Sequence, residues 1–300
     1  MKKSYLFSLL ICLSTVTYHS SAQTSTFENN KWSGFFDQEK FNQNFEDKTA
    51  SLLLNEQFIN PQDAANKLIE VEGLKIKLNK PKTRTKALSS AEIASIIQPS
   101  FVAFGVAYDC GNCHKTHINP ASGYIISEDG LIVTNYHVIE SYTKTSDNKN
   151  LAMTVQGIDG EVYLVTEVIS SYKAADLAIV KIDTKGKKLK ALPLGNTANV
   201  GDDVFVISNP APMINYFTVG KVARNYLGYF NSKEKLPQTD ITADYAAGSS
   251  GAPIVDQYGN VVSTVSATRS IYYNPKEQKN LQMVAKNTIP VVLLKELIAN

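Results

Sequence analysis

The sequence predicts an all-β fold built of barrels, with a C-terminal helix and an N-terminal extension. Three observations carry this. Short apolar runs bounded by Gly, Pro, Asn or Asp recur from Phe101 onward. Asp129-Gly130, Asp159-Gly160 and Tyr258-Gly259-Asn260 supply hairpin turns between such runs. The segment from Pro290 to Ile298 reads as an amphipathic closing helix. Many short strands with one terminal helix argue for barrels over a parallel α/β sheet.

The chain opens with the pattern of an export signal. Lys2-Lys3 precedes an apolar run from Tyr5 to Val16, and Ser20-Ser21-Ala22 supplies a small-x-small cleavage site, so residues 1–22 are expected to be removed. The run is too short to span a bilayer well. Cys12 follows Leu10 and Ile11, a poor context for lipid attachment, so no stable membrane anchor is expected. The mature protein is expected to be periplasmic or secreted.

Cleavage removes two lysines and takes the net charge of +2 to about zero. That balance gives no reason to expect a nucleic acid or an anionic membrane as partner. The remaining length suits one β domain plus an appendage. Residues 23–90 form that appendage. Phe27, Trp32, Phe35, Phe36, Phe41 and Phe45 are scattered among polar residues, and Ala64–Val71 reads as a short helix capped by Asn60 with Pro61 at its first position. The basic stretch from Lys75 to Lys86 reads as a solvated linker, or alternatively as the tether of a propeptide.

From Ala91 a short helix leads into a first strand, Phe101–Tyr108. Further strands are expected at 121–126, 131–137, 153–156, 161–169, 176–182, 204–208, 218–225, 238–243, 253–255, 261–267 and 281–286. The Gly-, Pro- and Asn-rich stretch 192–203 would cross between two halves.

Three stretches carry chemistry. Thr134-Asn135-Tyr136-His137-Val138 places a histidine at a strand end. Asp176-Leu177-Ala178-Ile179-Val180-Lys181-Ile182 opens a strand with a carboxylate. Gly248-Ser249-Ser250-Gly251-Ala252-Pro253 puts a serine in a sharp turn, where its hydroxyl is uncovered and consecutive N–H groups converge. Serine needs a base to become a nucleophile, and the base needs a carboxylate to fix its tautomer. Together these motifs resemble the trypsin-like serine proteases of the bacterial HtrA (Deg) type, and their order His, Asp, Ser is the chymotrypsin order. The resemblance covers roughly residues 91–300. It implies two six-stranded antiparallel Greek-key barrels, about 98–190 and 191–300, with the site in the cleft between them. It also implies His137 as base, Asp176 as its orienting carboxylate, Ser250 as nucleophile, and the N–H groups of Gly248 and Ser250 as the oxyanion hole. Asp183 is the competing carboxylate and reads as a surface residue at a strand end.

Departures from the family pattern are few. Ala252 stands where a glycine is usual. Ser249 stands where digestive relatives carry the aspartate that grips a new N-terminus, so activation through that salt bridge is not expected. The chain ends about 50 residues after Ser250, which implies a protein lacking the PDZ domain of most HtrA proteins. For specificity, Asp244 lies at the offset where trypsin-like enzymes place an acidic pocket floor. Tyr245 would line the pocket, and Ser266-Ala267-Thr268 would form its opposite wall. The alternative is that Asp244 caps a turn.

Cys110-Gly111-Asn112-Cys113-His114-Lys115-Thr116-His117 admits three readings. A local disulfide between Cys110 and Cys113 suits an oxidising compartment. A zinc site could use the cysteines with His117 and His114. The Cys-x-x-Cys-His spelling also matches a c-type haem attachment. The expected function is an exported serine endopeptidase acting on peptides or proteins without an obligatory cofactor. The alternatives are a catalytically silent trypsin-fold scaffold and an exported haem or metal-binding protein.

Overall fold

A computed structural model describes residues 34–113, 115–144, 149–229 and 233–299. The expected signal, residues 1–22, and His114 lie outside them. Two closed antiparallel barrels of six strands each make up the body. The first takes the order β1-β2-β3-β6-β5-β4, from strands Phe101–Asp109, Thr116–Ile125, Leu131–Thr134, Leu177–Ile182, Val162–Tyr172 and Lys149–Gly157 respectively. The second takes β10-β11-β12-β9-β8-β7, from Pro253–Val255, Val261–Asn274, Lys279–Pro290, Leu236–Ile241, Tyr216–Gly228 and Asp203–Ser208. In each barrel a strand from later in the chain inserts next to an earlier hairpin, the Greek-key arrangement. Helix α5, Val291–Glu296, closes the second barrel.

The N-terminal extension is ordered against the first barrel. Helix α1, Gln38–Leu53, buries Phe41, Phe45 and Thr49, and Asp37 caps it through Lys40 N–H. Helix α2, Pro61–Glu70, starts at the predicted Asn60 cap and buries Ala64 and Leu68. Phe41 and Phe45 pack on Ala103 and Val162 outside the barrel, while Val102, Phe104 and Val106 point into its core. This explains why β1 reads as a continuous apolar run: both of its faces are covered. Gly105 allows the close approach, because a Cβ there would sit 2.3 Å from Ile118 Cγ2 and 3.6 Å from the Phe45 ring.

The stretch expected to be a solvated linker is instead a docked strap. Ile76 is buried and its N–H donates to Leu297 O, while Ala299 N–H returns a bond to Ile76 O. Further along, Arg84 N–H donates to Asn260 Oδ1, and Leu88 N–H to Gln257 O. The lysine side chains are exposed, whereas Arg84 is half-buried with Nη1 donating to Gly259 O, and the composition of the strap does not reveal this docking. Helix α3, Ser90–Ile97, follows with a Ser89–Glu92 capping box and buries Ile93 and Ile97. Its cluster runs through both barrels, joining Tyr124 and Leu177 of the first to Val204, Ile254 and Ile289 of the second.

Candidate active site

His137 does not end a strand. It is the second residue of helix α4, Tyr136–Thr143, whose N-cap is Asn135. Asp176 pins that helix start from two directions. Its carbonyl accepts from Tyr136 N–H (3.2 Å) and Asn135 Nδ2 (2.9 Å). Its carboxylate accepts from His137 N–H (3.0 Å) and lies 3.0 and 2.9 Å from His137 Nδ1. A carboxylate only accepts, so the ring proton sits on Nδ1 and the Nε2 lone pair is left free.

Asp176 itself adopts φ +57°. Asp tolerates this left-handed conformation better than most residues, and here it aims both carbonyl and carboxylate at α4. The Asp176 side chain is 4% exposed against 46% for His137. The carboxylate is thus sealed while the ring reaches solvent. Asp183, by contrast, ion-pairs with Lys185 at the surface.

The serine loop hangs from the second barrel and is braced by the first. Gly248 and Gly251 have φ of +93° and +86°. A Cβ at either would fall 2.4 Å from a carbonyl, that of Asn209 or of Ser122 respectively, so only glycine fits. Ser122 supplies the brace: its N–H donates to Ser250 O (3.0 Å) and its Oγ to Gly248 O (3.0 Å). Ser249 is fully buried, with its hydroxyl on Ser208 Oγ, while Ser250 is partly exposed. The N–H groups of Ser249, Gly251 and Ala252 donate to Ala246, Val265 and Ser249 carbonyls. Those of Gly248 and Ser250 have no acceptor among the described residues. Two free donors beside a free hydroxyl can receive an oxyanion. No hydrogen bond joins Ser250 Oγ to His137 Nε2; the two segments meet through Ser122 and Thr134, whose Oγ1 donates to Ser122 O.

Residues 121–263 match the family model of the trypsin-like peptidase domain. The serine protease HTRA1 of Xenopus laevis is 35% identical over 175 residues, which cover 55% of this chain and 36% of that protein. The serine protease HTRA3 of Homo sapiens is 34% identical over 165 residues, covering 52% of this chain and 35% of that protein. The crystal structure of Deg5 superposes with a TM-score of 0.52 at 23% identity, over 68% of this chain and 89% of that one, a likeness of fold. This stretch is similar to the trypsin-like peptidase domain and, in sequence, to the HTRA serine proteases. The chain spans about a third of the length of the two relatives named, at 36% and 35%.

The other predicted residues take varied places. Asp244 is largely exposed, and its carboxylate pairs with Lys286 Nζ at 3.2 Å. Lys286 is mostly buried, donates to Tyr245 O and lies over the Tyr245 ring. Tyr245 is itself buried, its hydroxyl donating to Asn287 O and Ala267 O, and burial pushes that phenol well above its ordinary range. A cleft of about 350 Å³ borders Asp244, Lys286, Arg224 and Met283 on the second barrel. Ser266 turns away from the pocket wall expected for it, and its Oγ donates to Asp176 Oδ2 at 3.2 Å. Thr268 is exposed.

The cysteine segment forms the tip of the β1–β2 hairpin. Cys110 and Cys113 are free thiols with sulfurs 3.4 Å apart, well beyond the roughly 2.05 Å of a disulfide. Hydrogen bonds from Asn112 N–H and from Cys113 hold the Cys110 thiol down at about 7. Sequence reasoning missed Ser122, Asn135 and Lys286, which hold the site through contacts between distant segments. The two-residue offset between Asn135 and His137 was the one local signal of a helix N-cap.

Proposed function

We propose that this chain is an exported serine endopeptidase that cleaves peptide bonds through an acyl-enzyme. His137 takes the Ser250 proton as Oγ attacks the scissile carbonyl. Asp176 holds the imidazole in the reactive tautomer and stabilises its charged form. The N–H groups of Gly248 and Ser250 receive the developing oxyanion, and His137 then protonates the leaving amine. Water, activated by His137, releases the acyl group in the second half. Every proton and electron pair is handled by these side chains, so acyl transfer needs no cofactor.

The observation that carries this reading is the pair of unpartnered N–H groups flanking Ser249. Backbone donors inside a compact fold are normally satisfied, and leaving two free at one point is consistent with a reserved anion position. The substrate class follows from β11: its partner β10 covers only Val261–Thr264, so the strand beyond Val265 keeps one main-chain edge open beside the serine loop. An extended peptide can add to such an edge. Export rests on the Lys2-Lys3, apolar-run and Ala22 pattern. No helix among the described residues is long and apolar enough to cross a membrane.

The open Ser250–His137 contact favours one second reading, a silent peptide-binding scaffold. A fluorophosphonate probe separates the two. Covalent modification of wild-type Ser250, lost in Ser250→Ala and His137→Ala, together with cleavage of a denatured protein substrate, is the expected result. A folded chain that is neither labelled nor active overturns the endopeptidase.

A further inference from the structure

We propose that Cys110, Cys113 and His117 form a zinc site, with Glu46 of the N-terminal extension orienting the imidazole ligand. The site lies at the closed end of the β1–β2 hairpin and takes no part in the acyl-transfer chemistry. Its three donor atoms all lie within 4.8 Å of one another. Cys113 Sγ is 3.4 Å from Cys110 Sγ and 3.0 Å from His117 Nε2. Ligands of tetrahedral zinc, with bonds of about 2.3 Å to sulfur and 2.0 Å to nitrogen, stand roughly 3.5–3.8 Å apart. A few tenths of an ångström of spreading would admit the ion.

The local backbone is built to bring the donors together. His117 pairs across the hairpin with Tyr108, and Thr116 with Asp109, the last rung of the ladder. The chain then turns through Gly111 at φ +69°, whose N–H donates to Asp109 Oδ1. This turn folds both sulfurs back over the strand toward His117. Position along the strand thus puts the imidazole beside thiols that follow Asp109, although the three residues are spread over an eight-residue segment.

The surroundings of His117 suit a metal ligand. His117 Nδ1 faces Glu46 Oε1 at 4.0 Å, and the ring lies against Tyr108 with centroids 5.4 Å apart. At 4.0 Å there is no hydrogen bond, but a small approach of Glu46 would place the proton on Nδ1 and leave the Nε2 lone pair facing Cys113. A carboxylate behind a ligating imidazole orients it and raises its basicity. Glu46 belongs to α1, so the site would join the extension to the barrel. Two thiolates and an imidazole suit zinc among the common divalent ions, and the three donors among the described residues leave one tetrahedral position. The haem reading would require His114, which lies outside the described residues.

The test uses the full mature chain, kept reduced, stripped of metal and checked for fold by circular dichroism. Zinc titration against a chromophoric chelator should give one equivalent bound, and Co²⁺ in its place should give an intense sulfur-to-metal band in the near ultraviolet. Cys110→Ser, Cys113→Ser and His117→Ala should each weaken zinc by at least about a hundredfold, and Glu46→Gln by about tenfold to a hundredfold. Zinc should also raise the melting temperature of the wild type and not of Cys113→Ser. Two titratable thiols with no stoichiometric zinc would overturn the proposal. So would a cobalt spectrum without the sulfur band, a Cys110–Cys113 disulfide in the isolated protein with no metal, or a Soret absorption.

Discussion

Ser266 of the second barrel donates its hydroxyl proton to Asp176 of the first, Oγ to Oδ2, at 3.2 Å. The carboxylate behind His137 is therefore held by both halves of the molecule: His137 N–H on one oxygen, Ser266 on the other. Ser266→Ala should leave the fold intact and lower kcat/KM about tenfold, the scale of one hydrogen bond to a charged group. Steady-state kinetics on a peptide substrate, with circular dichroism as control, checks this. An unchanged kcat/KM would mean the bond does not steady the carboxylate.

Asp176 offers a sharper separation of charge from backbone. Asn also tolerates φ +57°, so Asp176→Asn should fold normally while kcat falls about ten-thousandfold through the wrong imidazole tautomer. Asp176→Ala loses the same chemistry and adds backbone strain, so it should melt lower than the Asn variant. Thermal denaturation of the pair reads out the difference.

Asp244 already has a cation, since Lys286 neutralises it across 3.2 Å. A basic substrate side chain would have to displace an ammonium that also serves Tyr245 O. Asp244→Ala should therefore change kcat/KM on substrates with small or apolar residues before the cut by less than about threefold, as expected for an exposed ion pair. Lys- and Arg-directed peptides should be no better substrates than these for the wild type. A cleavage profile over a peptide library decides the matter.

The extension packs against the first barrel through Phe41 and Phe45. Phe45 is 5% exposed between α1 and the outer face of β1, so Phe45→Ala should destabilise the chain by about 3 kcal/mol. Leu68, on the helix α2 that packs beside α4, should cost about 2–4 kcal/mol on truncation to Ala. Urea denaturation of the full chain measures both. Loss of residues 34–70 would strip apolar cover from the barrel, and such a product should aggregate rather than gain activity.

What the sequence disclosed was local. Thr134 to Val138, Asp176 to Ile182 and Gly248 to Pro253 each announce themselves within a few residues, and most expected strands overlap those observed, although β11 runs on to Asn274 and β2 starts at Thr116. What it concealed was tertiary. Asn135 caps α4 without a side-chain hydrogen bond to the helix, so Thr-Asn-Tyr-His reads as strand rather than as a helix start. Arg84 and Asn260 are partners across 176 positions, which no periodicity can signal, and the lysines around them mimic a free linker. Ser266 reads as a pocket wall by family resemblance, and only its packing against Asp176 determines where its hydroxyl turns.

One shared nucleus of packed side chains has a thermodynamic consequence. Since Tyr124 and Ile289 belong to the same apolar cluster, and Ile76 is hydrogen-bonded to Leu297 and Ala299 at the far terminus, the second half shares its interior with the first, although the first barrel also holds a core of its own around Phe104. Heating should produce a single calorimetric endotherm whose van't Hoff and measured enthalpies agree. Either half expressed separately should precipitate, because its inner surface would face water.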